Sequence, residues 1–133
     1  MTRATSFISR DVIYVMLATF FYQFSIQSVN PLINGYARNL GISSALAGIV
    51  VGVLSVTSML LRPFAGNLTD HLSKYYLAMI GGSLCMISDF GYIFATNATW
   101  LLAFRIINGT GFVLCTVCLA TWMAILVPRE HVG

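Results

Sequence analysis

The polar side chains of the first long apolar segment fall on one side of a helix. Thr19, Gln23, Gln27, Asn30 and Asn34 are spaced by four, four, three and four residues, which confines them to an arc of about 80° at 100° per residue. Amides and hydroxyls in that register can hydrogen-bond a polar solute in a cavity. They can also join the helix to a neighbour, at about 0.6 to 2 kcal/mol for each interhelical hydrogen bond. Five aligned positions exceed what one or two such contacts require, so the spacing favours a cavity wall.

Asp89 and Arg105 are the ionisable residues that we place inside membrane-spanning segments. A charge at the centre of such a helix costs roughly 2.5 to 3.5 kcal/mol on insertion scales, and a partner usually offsets the cost. Counted from the turn at Asn97, each residue lies about 12 Å along its helix at a rise of 1.5 Å per residue. The matched depths suit an ion pair between them, and they suit a solute or proton site equally well.

A short charged stretch, Gly66 to Tyr75, follows the second apolar segment and contains an acid, a histidine and a lysine within five residues. We predict a cytoplasmic loop here, with Asp70 near the start of the third helix. In that position Asp70 would complement the positive end of the helix and could pair with Lys74 or with an arginine of a neighbouring loop. Gly66 would allow close backbone approach. The simpler interpretation is a charged loop that only fixes the orientation of the chain.

These residues lie in a chain whose composition suits lipid as its solvent. Of 133 residues, 58% are hydrophobic and 8% are charged, whereas a soluble domain carries about a quarter charged residues. Four continuous apolar segments can each cross a hydrocarbon core of about 30 Å, which takes about 20 helical residues. They lack the alternating pattern of a membrane β-barrel. We therefore predict an all-α polytopic membrane protein with helices at about 12–33, 45–65, 76–96 and 100–127.

Positive charge predicts the orientation of these helices, because cytoplasmic ends retain lysine and arginine. With the N-terminus inside the cell, Arg38 alone of the flanking cations would lie outside. The cations placed on the cytoplasmic side would be Arg3, Arg10, Arg62, Lys74 and Arg129. We predict a multi-pass protein of the cell membrane with a cytoplasmic N-terminus.

Small residues predict where helices meet. Gly48-x-x-x-Gly52, followed by Ser55, would let the second helix approach a neighbour closely, and Ser43 and Ser44 are candidate caps for its first turn. We interpret the three cysteines as packing residues and predict no metal site or cofactor, since a zinc site needs more ligands than these spans offer. The cysteines are Cys85, Cys115 and Cys118.

Three motifs resemble those of the major facilitator superfamily. The stretch from Gly66 resembles the family's G-x-L-[SA]-D-R-x-G-R-[RK] loop between helices two and three: Gly66, Leu68 and Asp70 match, Thr69 and Lys74 are conservative changes, and His71, Ser73 and Tyr75 depart from it. The stretch Arg105 to Gly111 is similar to the family's R-x-x-x-G-x-G element in helix four. Asn30-Pro31 is similar to the proline-containing end of helix one in exporters of the family.

The resemblance implies a secondary transporter of exporter type, in which two six-helix halves rock about a site near the midplane and protons drive a small solute. This chain would correspond to an N-terminal four-helix portion, and the rest of the transporter would be its missing partner. The arginine of helix four would face helix one, so that Gln27 or Asn30 rivals Asp89 as the partner of Arg105. The implied cavity residues are Gln23, Gln27, Asn30, Asn34, Arg105 and Asn108.

The resemblance also implies a role for the loop, which in this family latches the cytoplasmic side in one of two rocking states. The latch residues would be Gly66, Asp70, His71 and Lys74. Because His71 stands in place of an arginine, the latch would be weaker or sensitive to pH.

Other classes stay open at this stage. A small four-helix multidrug exporter that acts as a dimer fits the length, but such proteins carry a glutamate in helix one, and this helix has no acid after Asp11. A truncated, non-transporting assembly or interaction subunit is a further alternative. An enzyme is disfavoured because no catalytic cluster assembles from these spans. The expected partners are the lipid bilayer, a small solute and protons, with no nucleic acid.

Overall fold

A computed structural model describes residues 9–127 and shows four helices joined by short connectors. They are α1 (Arg10–Asn39), α2 (Ser44–His71), α3 (Lys74–Phe94) and α4 (Ala98–Leu126). Each helix is long and apolar enough to cross a membrane. The predicted all-α fold with four spans is confirmed. Arg3 and Arg129, which entered the charge count, lie outside the described residues.

The first helix continues through Pro31 and ends at a C-terminal cap formed around Gly41. Gly41 has φ of 75°, and its N–H donates to the Arg38 carbonyl at 3.0 Å while the Ile42 N–H donates to the Ala37 carbonyl at 3.2 Å. This is the Schellman arrangement, which satisfies the free carbonyls at a helix end. The first helix, predicted to end at about residue 33, therefore continues to Asn39. As predicted, the Ser43 hydroxyl caps α2 by accepting the Leu46 N–H at 3.4 Å.

The second helix also continues beyond its predicted end at residue 65. Pro63 and Gly66 lie inside it, because a proline inside a membrane helix removes one backbone hydrogen bond and need not end the helix. Only residues 72 and 73 connect α2 with α3. Asp70 accordingly lies in the last turn of α2, and its predicted position near the start of the third helix is wrong. A Cβ on Gly66 would meet nothing within 4 Å, so the described chain has no close approach there.

Glycines on α4 bring two other helices close to it. A Cβ on Gly111 would lie 2.6 Å from the carbonyl oxygen of Gly81 in α3, and one on Gly109 would lie 3.1 Å from Cβ of Thr57 in α2. Two residues along a helix amount to a turn of about 200°, so these glycines point to opposite neighbours. The two glycines of the R-x-x-x-G-x-G element thus let α2 and α3 pack on opposite sides of α4.

The Gly48 and Gly52 ridge is different, since a Cβ on either residue would meet nothing within 4 Å. No described helix packs against this ridge, so the described residues do not form the close contact predicted there.

A buried cluster closes the end of the bundle where α1 joins α2 and α3 joins α4. The Tyr36 hydroxyl donates to the carbonyl of Ala95 at 2.9 Å and fastens α1 to the end of α3. The cluster consists of Ile33, Ala37, Ala47, Val50, Tyr92, Ala95 and Leu101. The outer faces of the helices expose large apolar side chains such as Phe20, Phe64 and Phe94, as expected for surfaces in lipid.

We expect Gly111→Ala to lower the free energy of unfolding by about 1–3 kcal/mol, the usual cost of overpacking. The added methyl would press on backbone and sulfur atoms of α3. Gly48→Ala is the matched control, because its methyl meets open space. Thermal unfolding of both variants in detergent measures the difference, and equal effects of the two substitutions would contradict the packing described for α3 and α4.

Candidate functional site

A polar cavity of about 370 Å³ opens between α1 and α2, with one aromatic side chain of α4 at its wall. Its lining combines polar and apolar groups in a protein that is otherwise largely apolar. The lining residues are Gln23, Ile26, Gln27 and Asn30 of α1, Leu54, Ser55, Ser58, Met59 and Arg62 of α2, and Phe112 of α4.

The polar stripe of α1 is divided between different surroundings. Gln23, Gln27 and Asn30 line the cavity. The Thr19 hydroxyl donates to the Val15 carbonyl of its own helix at 2.7 Å, so it is satisfied locally. Asn34 is half-buried, one turn beyond Asn30, and is not among the lining residues. The structure therefore brings three of the four predicted amides of α1 together.

A second polar stripe, on α2, faces the first. It is not among the features predicted from the sequence. Ser55, Ser58 and Arg62 follow the i, i+3, i+7 spacing that places residues on one helix face, and all three line the cavity. This spacing is the feature of the sequence that indicates a polar face on α2. In the sequence, Ser55 also fits the small-residue ridge, and Arg62 falls near the end of the shorter predicted helix.

Arg105 is buried behind the cavity, with 1% of its surface exposed. Its Nη2 donates a hydrogen bond to Oδ1 of Asn30, which links α4 to α1. Of the partners considered for Arg105, the structure pairs it with Asn30. Its Nε has no hydrogen-bond partner among the described residues, and Asn30 is the residue to which the described hydrogen bond of Arg105 runs.

Asp89 accepts a hydrogen bond from a different residue of α4. Nδ2 of Asn108 donates to Oδ1 of Asp89 at 3.1 Å and to the hydroxyl oxygen of Ser88 at 2.8 Å. Asn108 is 3% exposed, so the structure places it in the interface between α3 and α4 and not on the cavity wall. Asp89 itself lines a separate, mainly apolar groove of about 550 Å³ between α1 and α3.

The arginine fixes how the amides of α1 are oriented. A guanidinium only donates hydrogen bonds, so the carbonyl oxygen of Asn30 must face Arg105 and its NH₂ group must face away. That NH₂ group donates to Oε1 of Gln27 at 3.2 Å. With its oxygen engaged, Gln27 has its own NH₂ group free to donate. The wall formed by these two amides therefore offers hydrogen-bond donors to the cavity.

The predicted latch residues lie at the far end of α2. Asp70 and His71 are exposed in its last turn, and Lys74 is the first residue of α3. No ion pair joins Asp70 to Lys74 within the described part of the chain. A carboxylate at a helix C-terminus is disfavoured by the helix dipole, so α2 itself gives Asp70 no stabilising contact.

The cysteines pack between helices. Cys115 Sγ donates to the Ala78 carbonyl at 3.4 Å, and Cys85 lies 3.6 Å from the Tyr22 hydroxyl. All three thiols are free and buried. Within residues 9–127, no three histidine, cysteine or acidic side chains come together as metal ligands would.

Comparison with known proteins identifies the family. Residues 15–133 match the model of the Major Facilitator Superfamily. Quinolone resistance protein NorA of Staphylococcus aureus is 31% identical over 98 residues, covering 73% of this chain and 25% of that protein. Multi-drug resistance efflux pump PmrA of Streptococcus pneumoniae is 30% identical over 115 residues, covering 82% of this chain and 28% of that protein.

The chain spans about a quarter of the length of these relatives. No solved structure is significantly similar to it. The family match extends over all three motifs that resembled the family in the sequence, at Asn30-Pro31, Gly66 to Tyr75 and Arg105 to Gly111, and it confirms that resemblance. The chain belongs to the major facilitator superfamily.

Proposed function

We propose that this protein exports a small amphiphilic solute from the cell by proton-coupled secondary transport. The observation that carries the proposal is the cavity between α1 and α2, in which three amides and an arginine face a space of about 370 Å³. Polar groups of this kind inside membrane helices usually mark a substrate pathway. The similarity to proteins named for quinolone resistance and multidrug efflux supports the direction of transport.

Transport in this proposal proceeds by alternating access, with the cavity opening first to one side of the membrane and then to the other. Met59, Leu54 and Phe112 supply the apolar contacts, and the amides select and orient the solute. Asp89 is our candidate for the proton carrier, since among residues 9–127 it is the carboxylate that lies well inside a helix and faces an open groove.

The latch at the α2 end is a further part of the proposal. Asp70 is exposed and has no partner in its own helix or in Lys74, which suits a carboxylate that pairs with a cation in only one of the two rocking states. Such a contact changes the populations of the two states and leaves the solute site unchanged. His71 is also exposed in the same turn, where it stands in place of a basic residue of the family's motif.

Everted membrane vesicles from a host without its own efflux pumps test the proposal. We expect them to accumulate a fluorescent quinolone when a proton gradient is imposed and to lose it when a protonophore is added.

Gln23→Leu should weaken binding of the quinolone with little change in expression, because Gln23 is exposed to the cavity. Asp70→Asn should leave binding unchanged and slow transport, because it lies outside the cavity.

The two variants are controls for each other. If Gln23→Leu lowers the amount of folded protein as much as it lowers quinolone binding, the polar stripe joins helices and does not bind solute. If Asp70→Asn transports the quinolone at the wild-type rate, Asp70 acts only as a charge that fixes the orientation of the chain in the membrane. Absence of both binding and accumulation in the wild type would contradict transport and favour a non-transporting assembly role.

We also propose that the connector between α2 and α3 is cytoplasmic, since Arg10, Arg62 and Lys74 lie toward that side of the bundle and Arg38 lies toward the other. Ser73→Cys and Asn39→Cys test this at exposed positions without altering any charge. In intact cells an impermeant thiol reagent should label Asn39→Cys and not Ser73→Cys. The parent protein is the control because its thiols are buried, and labelling of Ser73→Cys from outside would reverse the orientation.

A further inference from the structure

We propose that the cavity recognises its solute through a negatively charged group, such as a carboxylate, and that Arg62 binds that group. The inference rests on the proposed transport function and deepens it by naming the class of solute: an amphiphile with an apolar ring system and an acidic group. It also assigns a binding role to Arg62, which the sequence had suggested only as a charge at a helix end.

The extension of α2 carries Arg62 into the span. A helix of 28 residues is about 42 Å long and exceeds a hydrocarbon core of about 30 Å by about 12 Å. Arg62 lies nine residues before His71, about 14 Å from that end, which is about 8 Å inside the hydrocarbon boundary if the helix is centred. A charge at that depth normally faces a water-filled cavity or a partner.

Among the described residues, the cavity offers Arg62 open space and no side chain of opposite charge. Arg62 is exposed and lines the cavity, and none of the ten lining residues is acidic. The acids among the described residues are elsewhere: Asp11 is in the first turn of α1, Asp70 is in the last turn of α2, and Asp89 lines the groove on the other side of α1. An anion inside the cavity would therefore be the neutralising partner of Arg62.

The opposite wall is electrostatically matched to the same ligand. Arg105 lies directly behind Asn30 and is buried, so its positive charge acts on the cavity through a medium of low dielectric constant. The hydrogen bonds from Arg105 to Asn30 and from Asn30 to Gln27 leave the NH₂ group of Gln27 free to donate. An acceptor such as a carboxylate between Gln27 and Arg62 would meet donors on both helices.

The apolar part of the lining determines the rest of the ligand. Leu54, Met59, Ile26 and Phe112 form part of the same wall, and Phe112 is backed by Tyr22, with ring centroids 6.2 Å apart. An aromatic or aliphatic body would bury its surface there while its acidic group reached Arg62. The site thus selects amphiphilic acids over their neutral derivatives.

The test compares two probes that differ in one negative charge: a fluorescent quinolone carboxylic acid and its methyl ester. Equilibrium binding to purified protein in phosphatidylcholine nanodiscs is measured for the wild type, Arg62→Gln and Arg62→Lys. We expect Arg62→Gln to weaken binding of the acid about tenfold or more, the scale of a charge-assisted hydrogen bond, and to leave binding of the ester unchanged. Arg62→Lys should retain part of the affinity, because lysine keeps the charge and loses the planar geometry.

Arg38→Gln is the matched control, since Arg38 is an exposed arginine that does not line the cavity, and it should leave both affinities unchanged. If Arg62→Gln binds both probes as tightly as the wild type, or loses both equally, this inference is overturned while the transport proposal stands. If the wild type binds neither probe, both the transport proposal and this inference fail.

A lipid head group offers the same chemistry as an anionic solute. The last arm therefore adds phosphatidylglycerol to the nanodiscs. We expect the acid to stay bound to the wild type. Displacement of the acid from the wild type, with no such effect on the residual binding of Arg62→Gln, would mean that Arg62 holds a lipid phosphate and would overturn its assignment to the solute.

Discussion

The hydrogen bond from Arg105 to Asn30 is the interaction on which the candidate site depends. An arginine with 1% of its surface exposed needs an acceptor, since an unpaired buried charge is strongly destabilising. Asn30 supplies that acceptor from another helix. The bond attaches α1 to α4, and because arginine can only donate, it also sets which atoms of Asn30 and Gln27 face the cavity. One buried cation thereby determines both the position of the wall and its hydrogen-bonding character.

Close packing by glycine puts that cation in place. Gly109 and Gly111 let α2 and α3 approach opposite sides of α4, which leaves the side of α4 that carries Arg105 facing α1. The interface between α3 and α4 holds the hydrogen bonds of Asn108 to Ser88 and Asp89. The polar groups of α4 are therefore divided, with Asn108 holding the helices together and Arg105 organising the cavity.

Hydropathy alone predicted the four spans, because only long apolar helices can satisfy their backbone in lipid, and the spacing of Gln23, Gln27 and Asn30 predicted which face of α1 is polar. Helix ends were less predictable, since Pro31, Pro63 and Gly66 look like stops and yet lie inside helices. Because the second helix was predicted to end at residue 65, the sequence did not indicate that Arg62 lies inside the membrane span. The sequence also could not choose between Asn30 and Asp89 as partner of Arg105, because matched depth says nothing about which way a side chain points.

A double-mutant cycle between Asn30 and Arg105 tests the central claim most directly. The free energy of unfolding is measured for the wild type, Asn30→Ala, Arg105→Met and the double variant. If the hydrogen bond exists and satisfies the buried charge, the coupling energy should be about 1.5–3 kcal/mol, the range for hydrogen bonds to charged groups. Effects that add to within about 0.5 kcal/mol, as for independent sites, would contradict the account.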